Sequence, residues 1–222
     1  MVAVHPKPGE FKAMEDNKCK ICRRVGVKLF LKGEKCFSPK CPLVKKAYPP
    51  GQKRKRRRRA LSEYGKELVE KQKLKNWYNL TERQFRKYVK ETLSGRGKVE
   101  DTATLLIQAL ERRLDNVVFR LGFAPSRSSA RQLVSHRHIQ VNDKTLNIAS
   151  FSVKKGDVVK VKESSLSKKM FQVIKTTIKK YTPPTWLSLD SEKLEGKVIA
   201  EPNFEEAAPP AEISSIFEFY SR

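Results

Sequence analysis

No stretch of the chain stays apolar for the ~18 residues a membrane-spanning helix needs, and no apolar signal region follows Met1. Both absences point to an intracellular protein with no membrane partner. Cysteine is missing after Cys41, and histidine is confined to His5, His136 and His138. No phosphate-cradling glycine loop, no cysteine–histidine pair and no paired carboxylates in an apolar setting occur, so no residue stands out as catalytic. Negative charge is also short: 24 acidic residues face 48 lysines and arginines, a formal net charge of +24 in 222 residues. So large and clustered an excess exceeds what solubility requires and implies a polyanionic partner.

Composition divides the chain. Residues 1–18 form a polar extension with Pro6, Pro8 and Gly9, and a cysteine-bearing segment follows that closes at AYPPG. Next comes an unbroken cationic run, Lys53, Arg54, Lys55, Arg56, Arg57, Arg58 and Arg59, which self-repulsion keeps extended until an anion neutralises it. TERQFRKYVKETL carries a capping box in Thr81 and Gln84, with Phe85, Tyr88, Val89 and Leu93 on one helical face. EYGKELVEKQKLKNWYN is helical in propensity but poor in apolar residues, so it should show much of its surface to a partner. Leu105, Ala109, Leu110, Leu114, Val117, Val118 and Leu121 fit one helical stripe ending at Gly122, which predicts a single core helix. A short helix SARQLVSHR leads into IQVN, a turn, and a strand in which Val159 and Val161 alternate with Lys160 and Lys162. Leu166, Met170, Val173, Ile174, Thr177, Ile178 and Tyr181 mark an amphipathic helix, and WLSLD and GKVIAEP read as paired strands. In the terminal EISSIFEFYSR, Ile213, Ile216, Phe217 and Tyr220 share a face that must dock somewhere.

The cysteines, Cys19, Cys22, Cys36 and Cys41, are spaced C-x2-C, thirteen residues, C-x4-C. A two-residue gap lets one tight turn present two sulfurs to a single ion, and a reducing compartment disfavours disulfides. Lys18, Lys20, Arg23 and Arg24 beside the first pair would favour thiolate. The expectation is one structural zinc ion, ahead of an iron–sulfur cluster and of free thiols or a disulfide. Each later segment has an apolar stripe of its own, so metal loss should unfold residues 19–41 alone.

SSARQLVSHRHIQVND combines these cues. Ala130, Leu133 and Val134 turn inward, which places Arg127, Arg131, Gln132 and Ser135 outward, with His136, Arg137 and His138 at the junction with the strand. Cations and planar donors on one face suit the phosphates and bases of folded RNA; for the histidines, local hydrogen bonding is an equal alternative.

That stretch resembles the RNA-binding module named after ribosomal protein S-four. RLDNVVFRLGF, EYGKELVEKQKLKN, TERQFRKYVKE, YPPGQ, PTWLSLD and EFYSR extend the likeness, in order, to the bacterial-type S-four family of the small ribosomal subunit, over about residues 19–222. Members that keep zinc share the cysteine spacing. The chain departs from the family where His-Gly-His becomes His136-Arg137-His138 and Asn-Gly becomes Asn142-Asp143, positions that tolerate positive φ. The resemblance implies an α+β protein: an N-terminal extension (1–18), a four-cysteine zinc module and linker (19–51), an all-helical domain (52–104 with 207–222), and an inserted RNA-binding domain with a small antiparallel sheet (105–206). It also implies a structural, non-enzymatic role in the cytoplasmic ribosome of a bacterium or an organelle, binding the five-prime domain of small-subunit ribosomal RNA early in assembly. Neighbouring protein S-five, the channel through which messenger RNA enters, and the protein's own messenger are further implied partners. An RNA-modifying enzyme or free RNA chaperone with the same module is the alternative; Arg113-Leu114-Asp115 resembles the catalytic RLD of pseudouridine synthases but lies within an apolar stripe, where Asp115 should pair with a neighbouring arginine or cap the next turn. RNA phosphates would meet the 53–59 run, Lys66, Lys71, Lys73, Lys75, Arg83, Arg86 and Lys87. Arg127, Arg131, Gln132, His136, Arg137, His138 and Asn142 would form a second, preshaped face.

Overall fold

A computed structural model describes residues 18–51, 60–95 and 99–221. The cationic run Lys53–Arg59 and all of the N-terminal extension but Lys18 lie outside the described residues. The cysteine-bearing segment folds as α1 (residues 18–25), α2 (Glu34–Phe37) and α3 (Pro42–Lys45). Three longer helices follow: α4 (Glu63–Trp77), α5 (Glu82–Ser94) and α6 (Val99–Glu111). The capping box forms as expected, with the Gln84 amide N–H donating to Thr81 Oγ1 and the Thr81 amide N–H donating to Gln84 Oε1 at 3.2 Å.

After a break at Arg112 and Arg113 the chain builds a second lobe. It comprises α7 (Leu114–Arg120), α8 (Arg127–Ser135), β1 (Ile139–Val141), β2 (Lys144–Thr145) and β3 (Val158–Val161). Then come α9 (Glu163–Leu166), α10 (Lys169–Ile178), β4 (Leu187–Asp190) and β5 (Glu195–Val198). The sheet runs β2-β1-β3-β5-β4, antiparallel throughout. Val141 pairs with Lys144, leaving a two-residue turn whose Asn142 and Asp143 both have positive φ, 48° and 66°. That is the type I′ geometry that suits the twist of a tight hairpin. The chain ends with α11 (Phe204–Ala207) and α12 (Ile213–Ser221), which return to the first lobe.

Two cores result. Leu74, Phe85, Val89, Leu106, Ile107 and Leu110 form the first with Ile213, Ile216 and Phe217 of α12, so the terminal helix docks as its apolar face required. Cys22 and Leu29 belong to this core too. In the second, Leu114, Val117, Val118 and Leu121 of α7 pack with Val134, Phe171, Ile174 and the inward valines of β1 and β3.

Three sequence readings are corrected. The stripe from Leu105 to Leu121 is two helices: the break shifts the helical phase, Leu105 turns outward, and Leu106 and Ile107 replace it in the first core. The division drawn at 104/105 therefore falls inside α6, while the cores separate between Leu110 and Leu114. Second, α4 is no exposed surface helix, because α12 packs along it and Glu67, Lys71, Leu74 and Trp77 are buried. Third, Met170 and Val173 of α10 are exposed, and they border a groove opposite Phe30 and Phe37.

Candidate nucleic-acid interface

On the helical lobe the cations sort into an exposed set, in which Lys66 pairs with Glu63 at 3.9 Å and Lys87 with Glu91 at 3.6 Å on the surface, and a covered set. Arg83, Arg86 and Lys87 line the outer face of α5, and Lys66 is exposed on α4. Lys71 and Lys75 are not on that surface. Both reach Glu82 in the first turn of α5, Lys71 Nζ at 2.8 Å and Lys75 Nζ at 3.1 Å from its carboxylate oxygens. The Tyr220 hydroxyl donates to the same carboxylate at 2.8 Å. Burial by itself would raise the Glu82 pKa, but the hydrogen bonds from Lys71, Tyr220 and Lys75 outweigh it and bring it to about 2. Lys73 pairs with Glu70 one turn away and is mostly covered. Lys71 and Lys75 tie α4 to α5 and Lys73 is paired within α4, so their assignment to an RNA surface is corrected.

On the second lobe, α8 starts at Ser126, whose Oγ accepts from the Ser129 amide, and ends in a Schellman motif. The Arg137 amide donates to the Val134 carbonyl at 2.9 Å and the His138 amide to that of Leu133 at 3.1 Å. The motif puts Arg137 at φ 59°, where glycine is the usual residue. Gln132, Ser135, His136 and Arg137 face solvent together. His138 is half-buried, its Nδ1 2.9 Å from Ser165 Oγ. Burial first, then the charge of Lys168, holds its pKa below the ordinary histidine value, so it sits here chiefly as a neutral hydrogen-bonding group. Asn142 locks the hairpin instead of reaching outward: its Nδ2 donates to Asp157 Oδ1 at 2.8 Å and its Oδ1 accepts from the Val158 amide at 2.9 Å.

Arg127 and Arg131 overturn the outward reading of α8. Arg127 is only 8% exposed, its guanidinium stacked over Trp77 with the carbon 4.0 Å from the ring centroid. Arg131 folds back on Asp115, Nε at 2.9 Å and Nη2 at 2.6 Å from Oδ2. Asp115 also takes Arg113, so the RLD carboxylate is consumed by ion pairs as expected. The sequence reading omitted Lys144 on β2 and Lys168, both exposed, with Lys168 Nζ 3.4 Å from His138 Nε2.

All four cysteines are unpaired thiols lining one cavity, with Lys18, Lys32 and Lys35 around them and no carboxylate or imidazole in the wall. Among the described residues, however, no three His, Cys, Asp or Glu side chains form a group that could hold a metal ion. Burial pushes the Cys22 and Cys36 thiols up, and the neighbouring cysteines add to the shift. The shared cavity is the more informative fact, since it brings residues 22 positions apart to one wall. The donor set, four cysteines with lysines around them, fits zinc.

Residues 13–111 match the Ribosomal protein S4/S9 N-terminal domain, and residues 112–159 match the S4 domain. The seam between the matches falls at the break between α6 and α7. Small ribosomal subunit protein uS4A of Symbiobacterium thermophilum is 50% identical over 204 residues, 92% of this chain and 96% of the relative. The uS4 protein of Caldicellulosiruptor saccharolyticus is likewise 50% identical over 204 residues with the same coverage, and that of Kosmotoga olearia 47% over 205 residues, again 92% and 96%. The chain belongs to the uS4 family of small ribosomal subunit proteins.

Proposed function

We propose that the chain is a structural, non-enzymatic constituent of the small ribosomal subunit that holds ribosomal RNA against two cationic faces. The family match over almost the full chain carries this reading. The structure adds surfaces to go with it: Arg83, Arg86 and Lys87 on α5, and Gln132, His136 and Arg137 at the end of α8. Exposed cations supply salt-sensitive affinity, and the fixed outline of the α8 end supplies shape selection. The RNA we assign is the five-prime domain of small-subunit ribosomal RNA. Protein S-five, messenger RNA near its channel into the subunit, and the protein's own messenger complete the proposed partners, and the bacterial cytoplasm is the proposed compartment. The enzyme alternative finds no support in Asp115, which is buried among arginines.

We also propose one structural zinc ion on Cys19, Cys22, Cys36 and Cys41. What supports it is the common cavity and its cationic wall, which would offset the charge of four thiolates. Zinc there would supply cross-links for a segment with little core of its own.

Sedimentation of cell extract in high salt tests the main proposal. The chain should stay with the small subunit at one copy per particle. Substoichiometric amounts, or release into the wash, would favour a modifying enzyme or chaperone.

A further inference from the structure

The joint between the lobes is built from ions. Glu111, at the end of α6, is 1% exposed, and its Oε1 accepts from the Tyr78 hydroxyl at 2.7 Å and Arg120 Nη2 at 2.9 Å. Its Oε2 accepts from Asn116 Nδ2 at 2.7 Å and Arg120 Nε at 2.9 Å. Asp115, in the first turn of α7, accepts from Arg113 and Arg131. Each arginine of the cluster touches both lobes. Arg113 also donates to the Tyr88 hydroxyl of α5 at 2.9 Å, and Arg131 to the Asn79 carbonyl at the end of α4. Arg120 reaches the Ala207 carbonyl of α11 at 3.2 Å. The Arg127 guanidinium lies over Trp77 and Tyr78 of the first lobe and Phe119 of the second, at 4.0, 5.0 and 4.6 Å from the ring centroids. Its Nε donates to Asn116, while its buried Nη2 has no hydrogen-bond partner and lies 4.0 Å from Glu111.

We propose that this cluster is a clamp that fixes the placement of the α5 face relative to the α8 face, making Glu111 a positioning residue for RNA selection that never touches RNA. The inference rests on the RNA-binding reading above. An apolar joint of equal size would hold the lobes as firmly, since buried ion pairs seldom add net stability over packed hydrocarbon. Directional hydrogen bonds differ in fixing an angle. A folded RNA junction must meet both faces at once and gains from their being preset, whereas a plain duplex can use one face at a time. Loosening the clamp should therefore cost selectivity before it costs charge-driven affinity.

Two full-length variants test this, Glu111→Gln and Tyr78→Phe, the second removing one hydroxyl from an otherwise intact cluster. The probes are a transcript of the five-prime domain and a random-sequence duplex of equal length, at fixed salt and below the melting temperature of each variant. Glu111→Gln should weaken transcript binding about ten-fold, the scale of one charge-assisted hydrogen bond, and Tyr78→Phe several-fold, with duplex binding within about two-fold of wild type. If Glu111→Gln does not fold, Tyr78→Phe decides alone. The clamp is overturned if the variants keep the wild-type preference, or lose both RNAs in the same proportion, as a merely structural role would have it. A wild-type chain without any preference would instead refute the assigned RNA.

Discussion

Arg137 is held in the left-handed region by the Schellman bonds that close α8, with its side chain in solvent. A side chain there costs about 1–2 kcal/mol that glycine avoids, partly offset by the greater freedom glycine has when unfolded. Arg137→Gly should thus stabilise the free protein by about 0.5–1 kcal/mol in urea denaturation, while lowering the RNA salt slope by about one unit. A variant that gains no stability would show that the turn is not strained; an unchanged slope would remove Arg137 from the interface. Glu82 offers a second test at this scale. Its pKa in the fold, about 2, lies below the ordinary 4.5, so its contribution is complete above pH 4.5 and is lost as pH falls toward 2. Thermal melts should show the wild type losing stability across that window, and Glu82→Gln should start lower at neutral pH and lose less. Identical slopes in the two proteins would mean the Lys71–Glu82–Tyr220 group contributes nothing.

Elements were legible where a local rule decided them. The Thr81 capping box, the helix stop at Gly122, the Val159/Val161 alternation and the docking face of α12 were all set by neighbouring residues in sequence. What failed depended on distant partners. Seven residues at helical spacing read as one stripe because nothing in the spacing reveals the break at Arg113, whose isolated bridge to Ser152 belongs to another part of the chain. The same holds for the candidate interface: Arg83, Arg86, Lys87, Gln132, His136 and Arg137 are exposed, but Lys71, Arg127 and Arg131 read as surface cations only until Glu82, Trp77 and Asp115 are seen opposite them. Packing of α7 on β5 is a further long-range dependence. A Cβ on Gly196 would lie 2.3 Å from Leu121 Cδ2 and 2.5 Å from Cδ1, and Leu121 is fully buried and cannot swing away. Gly196→Ala should cost about 1–3 kcal/mol, read as a lowered urea midpoint, with exposed cations untouched. A neutral outcome would mean the sheet can shift at β5 without disturbing the core.

At the scale of the molecule the cysteine segment is no separate module. Cys22 and Leu29 share the core of α4, α5, α6 and α12, and Leu29 is 1% exposed. Unfolding of residues 19–41 on metal loss would therefore strip one wall from the helical core, contrary to the expectation from sequence that the damage would stop there. The second lobe has its own core and meets the segment at the Lys18–Ser128 hydrogen bond, 2.9 Å, and at the close approach of Gly33 to Pro125, where an added Cβ would lie 2.5 Å from the carbonyl oxygen. Elemental analysis should give one zinc per chain for protein purified without added metal. Hydrogen exchange before and after chelation should then show faster exchange across 19–41 and in α4, and little change in β1, β3 and β5. Exchange that rises only within 19–41 would mean that the helical core does not need the segment. Exchange that rises as much in the sheet would mean that the two cores unfold as one, and an unchanged profile with no bound metal would leave the four cysteines as ordinary thiols.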